Sequence, residues 1–441
     1  MNSKIRQKHR DTIIHSLKGG VVPRIGLEHI QVGRLSEIKA LDKDIDSIVD
    51  GGARFRFIIG EYGSGKTFFM HLIRLIALKK KLVTIHADLS PERRVYSTAG
   101  QATNLLSELM TNMSTRAKPD GNALSGVVEK FIANAITESK SSNESVPNII
   151  QKRLHSLTEY VGGYDFASII EAYWQGYDRG DETLKNNAIR WLRAEYRTKT
   201  EARRDLGVRT IIKDDTFYDY LKLMSLFVRF AGYAGLLVEL DEMVNLYKLS
   251  TNKARNSNYE QLLRIFNDCL QGSANHIGFL MGGTPEFLYD SRKGLYSYPA
   301  LQSRLAENEL AREHGIVDYS SPTLNLAKLT PEELYILLHN LRHVFASGDE
   351  KKYLITDEGL ESFLVHCHSN IGDEYYKTTR SITKGFLDML TILEQNPKLK
   401  WENLIDKVKL EEDAPTDMKA IPTLPTDVEN DETEGLKNFK I

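Results

Sequence analysis

The chain has 441 residues, past the size at which a single hydrophobic core usually splits, so two or three domains are expected. Apolar residues make up 41% and charged residues 27%, which excludes a disordered or fibrous chain. A net charge of −2 excludes a global positive field for nucleic acid, so any such contact needs a local patch.

The charged start MNSKIRQKHRD leads into no apolar signal core, and no apolar run nears the roughly 20 residues a bilayer requires. A soluble, cytoplasmic chain with no membrane partner is the expectation. Residues 1–50 read as helix, turn, helix: Asp11 to Leu17 has apolar positions at helical spacing and stops at Gly19-Gly20, and a second helix runs from Ser36. Arg54 to Ile59 alternates and then turns fully apolar, as a buried parallel strand does; a helix over 67–80 and a strand over 82–87 follow. Ser90-Pro91-Glu92 has the cap, proline and acid of a helix start. Residues 51–100 thus read as the first half of an α/β core.

From 101 to 230 the periodicity is helical, with Ser141 to Ser145 as a loop tip, and this stretch reads as a large insertion. Strands resume at 235–240 and 277–282, making 231–321 the second half of the core. Residues 322–410 read as an all-helical lid with helices at 331–347, 357–369 and 378–395. The tail 411–441 is acidic and rich in proline and threonine, and is expected to be disordered. Cys269 and Cys367 both fall in helical patterns and suggest no disulfide framework. No repeat of fixed period is visible.

The strongest chemical signal is Gly60-Glu61-Tyr62-Gly63-Ser64-Gly65-Lys66-Thr67, which fits the Walker A pattern G-x-x-x-x-G-K-[ST], with Phe68 next in line. The glycines let backbone N–H groups face phosphates, and the following helix start adds partial positive charge. Lys66 is assigned to the β and γ phosphates of ATP and the Thr67 hydroxyl to Mg²⁺. A strand before and a helix after separate this reading from an ordinary glycine-rich turn.

The apolar strand ending in Asp241-Glu242 fits Walker B, with Asp241 serving Mg²⁺ and Glu242 polarising the attacking water. Glu239, a charge inside that strand, suggests a face turned toward the insertion. Thr284 follows the next strand, where AAA-like ATPases place a sensor of the lytic water, and it equally suits a cap for the helix begun by Pro285. Ser303-Arg304 looks like an arginine-finger element, with Arg292 competing and a solvated surface arginine the plainer reading. Arg380 stands in a helix's first turn, an unfavourable place for a cation unless it faces phosphate; an exposed arginine fits as well. Val32-Gly33-Arg34 resembles the segment that lines the adenine pocket in origin-recognition-type ATPases, giving Val32 and Gly33 to the nucleotide. His366-Cys367-His368 lacks a second ligand cluster at metal spacing and is read as a helix face. Lys79 to Lys81 and the cluster Arg203, Arg204, Arg209 and Lys213 read as solvated helix ends.

These motifs together carry a family resemblance. The run Ile13 to Arg34, YGSGKTFF at 62–69, AGYAGLLVELDE at 231–242, GGTPEF at 282–287 and TTRSITKGF at 378–386 are similar to BREX-type ATP-binding proteins, P-loop ATPases of bacterial phage-exclusion clusters. The insertion, with Tyr173, Trp174, Trp191, Leu192 and Gly207-Val208-Arg209, carries the more family-specific part. The resemblance implies an accessory ATPase acting with other phage-defence proteins on or near DNA, so double-stranded DNA and a second copy of the chain join the candidate partners. A remodelling ATPase and a slowly hydrolysing nucleotide switch both remain open. A small-molecule kinase ranks last, because no second acid is positioned for an acceptor hydroxyl.

Overall fold

The computed structural model describes residues 5–369, 378–408 and 410; the tail 411–441 lies outside the described residues. Helix α1 (Gln7–Lys18), a 3-10 turn at Leu27–His29 and α2 (Leu35–Val49) lead into strand β1 (Ala53–Ile59). Then come α3 (Lys66–Lys79) and β2 (Val83–Asp88). Seven helices separate β2 from the next strand: α4 (Gln101–Thr111), α5 (Leu124–Ser142), α6 (Val146–Leu154), α7 (Gly163–Arg179), α8 (Glu182–Leu192), α9 (Lys199–Leu206) and α10 (Phe217–Phe230). The sheet resumes with β3 (Leu236–Asp241), followed by α11 (Val244–Tyr247) and α12 (Asn252–Gln271). After β4 (Ile277–Gly283) the chain forms α13 (Pro285–Tyr289), α14 (Pro299–Leu305), α15 (Glu309–Glu313) and β5 (Thr323–Asn325). It closes with α16 (Pro331–Phe345), α17 (Asp357–Ser369) and α18 (Thr379–Gln395).

The five strands form one sheet in the order β2-β3-β4-β1-β5, so the α/β expectation holds. β3 pairs in parallel with β2 (Asp88 opposite Asp241) and with β4 (Val238 opposite Phe279). Every residue of β3 and β4 is buried, which is why β4 reads as an unbroken apolar run and β3 as one broken only by Glu239 before its terminal Asp241.

Two expectations need correction. Ser90 starts no helix: Ser90 and Arg93 exchange both backbone hydrogen bonds at 3.1 Å in a tight turn. The helix begins at Gln101 instead, where the Asp214 carboxylate accepts from the Gly100 amide (2.7 Å) and the Thr103 amide (2.8 Å) and supplies the cap from a distant segment. The region after 322 is not all helical either, since β5 runs along β1 with Phe57 N donating to Pro322 O at 2.8 Å and Leu326 N to Ile59 O at 2.7 Å.

The chain groups into two compact units. The first gathers residues 5–39, Ile58–Leu72 and the described residues from Leu324 onward. Its core joins Ile13 and Ile14 of α1 to Leu338 and Leu341 of α16, Leu360 and Phe363 of α17, and Phe386, Leu387 and Leu390 of α18. Each such side chain taken from water contributes about 1.5–3 kcal/mol. Arg10 fastens α1 by donating to the Phe345 carbonyl (2.7 Å) and Glu394 (2.9 Å), and Lys18 pairs with Asp388 at 3.0 Å. Trp401 packs against this core, over Gly359.

The second unit comprises Ala40–Phe57 and Ile73–Thr323. Its sheet core stacks Phe55, Phe57, Phe266, Phe279 and Phe287 edge to face or tilted. Among the helices α4 to α10, Phe227 meets Phe131 and Phe166, and the Trp191 indole N–H donates to the Thr210 carbonyl at 3.0 Å. Gly278 lets Ile48 of α2 lie against the sheet, since a Cβ there would fall 2.4 Å from Ile48 Cδ1. Lys80, read as solvated, is held by Asp42 and Asp46 at 2.6 Å each.

Candidate functional site

In the first unit, β1 delivers the chain into the loop Gly60–Gly65 and α3 starts immediately at Lys66. Gly63 (φ +72°) and Gly65 (φ +88°) adopt left-handed backbone, which side-chain-bearing residues rarely tolerate. Gly63 is doubly required, because a Cβ there would lie 2.4 Å from Thr378 Cβ. Lys66 Nζ donates to the carbonyls of Gly60 (2.7 Å) and Glu61 (2.9 Å), and Ser64 is buried while Thr67 is exposed at the first turn of α3. Glu61 pairs with Lys328 at 2.8 Å.

The same unit brings two further candidates to this loop. Arg380, in the first turn of α18, donates from Nη1 to the Tyr62 hydroxyl at 2.8 Å, and its guanidinium carbon lies 4.9 Å from the Tyr62 ring centroid. Thr378 caps that helix by accepting from Ser381 N at 3.2 Å. Arg34 donates to Ser64 O (3.1 Å) and Ala327 O (2.8 Å); burial lowers its pKa, and Glu37 and Glu333 offset this in part. Val32 is half-buried on the core, and Gly33 (φ +66°) lies under Glu333, whose Oε1 would be 2.2 Å from a Cβ there. The glycine-rich loop is therefore gripped by Arg34 on one segment and by Thr378 and Arg380 on another. The Arg380 helix start was visible as a signal through its misplaced charge, and Arg34 only as the end of the segment resembling an adenine-pocket lining.

In the second unit, β3 ends at Asp241, which is 9% exposed and accepts from the Glu242 amide at 2.8 Å. Glu242 itself has φ +57°, a conformation disfavoured for any residue bearing a Cβ, and its side chain is exposed. The turn is pinned by Met243 N donating to Gly282 O at 3.0 Å and by Leu89 N donating to Asp241 O at 3.0 Å. Asp88, opposite Asp241 at the end of β2, was not anticipated, because a lone acid after a strand reads as a cap. Burial and then the Asp241 charge raise its carboxyl pKa.

Glu239 does not face the insertion. It is 1% exposed and receives both Nε (2.8 Å) and Nη2 (2.5 Å) of Arg74 on α3. Burial raises its pKa, with Arg74 opposing. Thr284 does cap α13, its hydroxyl accepting from Phe287 N at 3.4 Å. Arg304 is exposed, donating to Asn267 Oδ1 (3.0 Å) and to Ala300 O (2.8 Å), and Arg292 is exposed as well, 3.8 Å from Asp290.

A family model described as "BREX system ATP-binding protein BrxC/D" matches residues 5–409, nearly the whole chain. The chain belongs to this family. The match includes the glycine-rich loop, the β3 acids and the whole of α4 to α10, so the family assignment rests on far more than two generic motifs. No curated protein matches the chain. Among the described residues no helix is long and apolar enough to cross a membrane.

Proposed function

We propose that this BREX-family chain is a Mg²⁺-dependent ATPase whose nucleotide state drives remodelling of other defence-system proteins or of DNA. The observation that carries the reading is the loop between β1 and α3, with left-handed Gly63 and Gly65 delivering the chain to Lys66 at a helix N-terminus. That combination aims amide dipoles and a cation at polyphosphate. Lys66 serves the β and γ phosphates, and Val32 and Gly33 border the base. Thr67 and Asp241 offer a hydroxyl and a carboxylate, the oxygen donors that suit Mg²⁺. Mg²⁺ held by these residues would neutralise the negative charge that develops on the phosphates. Glu242 polarises and takes a proton from the water that attacks the γ-phosphorus as the bond to the β–γ bridging oxygen breaks and ADP leaves, and Thr284 orients that water. Arg380 senses the γ-phosphate from α18, and Arg304, or Arg292 in its place, reaches the phosphate of a neighbouring copy.

Hydrolysis by the purified chain, with and without duplex DNA, tests this. Lys66→Ala should abolish ATP binding, while Glu242→Gln should keep binding and lose about 10²–10⁴-fold in turnover. Turnover left intact by Glu242→Gln would sink the hydrolytic assignment. A second reading, a switch with slow turnover, is favoured by the Lys66 contacts to Gly60 and Glu61 and by the grip of Thr378 and Arg380 on the loop. Tight ATP binding with negligible turnover in every condition supports that version.

A further inference from the structure

The turn Leu27–His29 carries chemistry that nucleotide handling leaves unused. Gly26 (φ +79°) brings it directly onto α1, since a Cβ there would lie 2.8 Å from Ile13 Cδ1 and 3.4 Å from His9 Cβ. Leu27 is fully buried as an anchor, and the turn closes with His29 N donating to Gly26 O (3.0 Å) and Ile30 N to Leu27 O (3.1 Å). This places His9 Nδ1 3.3 Å from His29 Nε2, with the rings inclined at 52°. Glu28 Oε1 stands 3.9 Å from His9 Nδ1 and 3.8 Å from His29 Nε2. It is the one group of three potential metal donors from His, Cys, Asp and Glu so close together among the described residues.

We infer that His9, Glu28 and His29 bind one divalent transition-metal ion of the zinc type. Two imidazoles and one carboxylate form a donor set such ions favour over Mg²⁺ or Ca²⁺. Donors about 2.1 Å from a tetrahedral ion are about 3.4 Å apart, which the two ring nitrogens already satisfy. The Glu28 side chain is 63% exposed and needs to swing inward by only about 0.4 Å to complete the set. Water takes the fourth position. The role is structural: the ion clips α1 to the turn that precedes Val32-Gly33-Arg34, and Arg34 holds Ser64 of the glycine-rich loop.

The test uses the full-length, tag-free chain, stripped with a chelator and titrated with ZnCl₂ by calorimetry without nucleotide. One ion per chain, with Kd on the order of 1 µM or below and a raised Tm, is the expected result. Co²⁺ in the same site should give the strong visible absorption of a four-coordinate ion. His9→Gln and His29→Gln should each remove the binding while keeping the wild-type circular dichroism spectrum. If either fails to fold, Glu28→Gln, altered only at an exposed side chain, should still weaken binding at least about tenfold. The assignment is overturned by no saturable uptake at about 100 µM zinc, by unchanged affinity in Glu28→Gln, or by wild-type stoichiometry in the double histidine variant.

Discussion

Glu242 is the residue where chemistry and backbone geometry pull in different directions. Its φ of +57° suits glycine, and holding a side-chain-bearing residue there costs about 1–2 kcal/mol. A carboxylate at this place justifies the strain only if the carboxylate is used. Glu242→Gly and Glu242→Ala should therefore be equally inactive, with the glycine variant about 1 kcal/mol more stable in chemical denaturation. Equal stability of the two would remove the strain argument. At this scale the sequence was legible wherever a residue's role depends on its immediate neighbours. Gly63, Gly65, Lys66 and Asp241 stand out because local turn chemistry demands them. Asp88 and Arg34 did not stand out as partners, because their importance comes from segments far away in the chain.

At the scale of elements, the strand β3 is joined to helix α3 through a buried charge pair. Arg74 is the cation facing Glu239, and replacing it by methionine leaves a buried carboxylate without compensation, a loss of about 3–5 kcal/mol at neutral pH. The direction with pH follows from the raised Glu239 value. An acid whose folded pKa lies above its unfolded value contributes fully below the unfolded value and loses that contribution as pH rises through the folded one. The penalty of Arg74→Met should thus be small near pH 4.5, about the ordinary Glu value, and grow toward pH 7. Denaturation midpoints across that range check it; a penalty independent of pH would contradict it. The loop and α18 give a second test. If Arg380 must release Tyr62 to reach phosphate, Tyr62→Phe should bind ATP about two- to tenfold tighter and Arg380→Ala more weakly, as equilibrium binding would show. Both variants shifting affinity the same way would argue against that exchange. Element types were readable from periodicity, but Ser90 misled because the cap of α4 comes from Asp214, and β5 escaped notice because three residues carry no periodic signal.

For the whole molecule, the alternation of strands and helices was enough to read an α/β chain, and the long helical stretch between β2 and β3 was visible as a break in that alternation. Grouping was not. The sequence suggests consecutive blocks, whereas the first compact unit gathers three separated stretches, one around α1, one around the glycine-rich loop and one of the described residues from Leu324 onward. Such gathering depends on tertiary burial of Ile13, Leu338 and Phe386 in one core, and no local pattern encodes which distant apolar stripe is the partner.

The placement of the three tryptophans has a spectroscopic consequence. Trp174 and Trp191 belong to the second unit, while Trp401 lies on the core of the first. Phenylalanine at 174 and 191 leaves Trp401 as the sole indole emitter, so its red shift in denaturant follows the opening of the first core alone. Phenylalanine at 401 makes the complementary reporter. Comparing the two emission curves, with and without ATP, measures the nucleotide's stabilisation of each unit separately, in one cuvette and without a label.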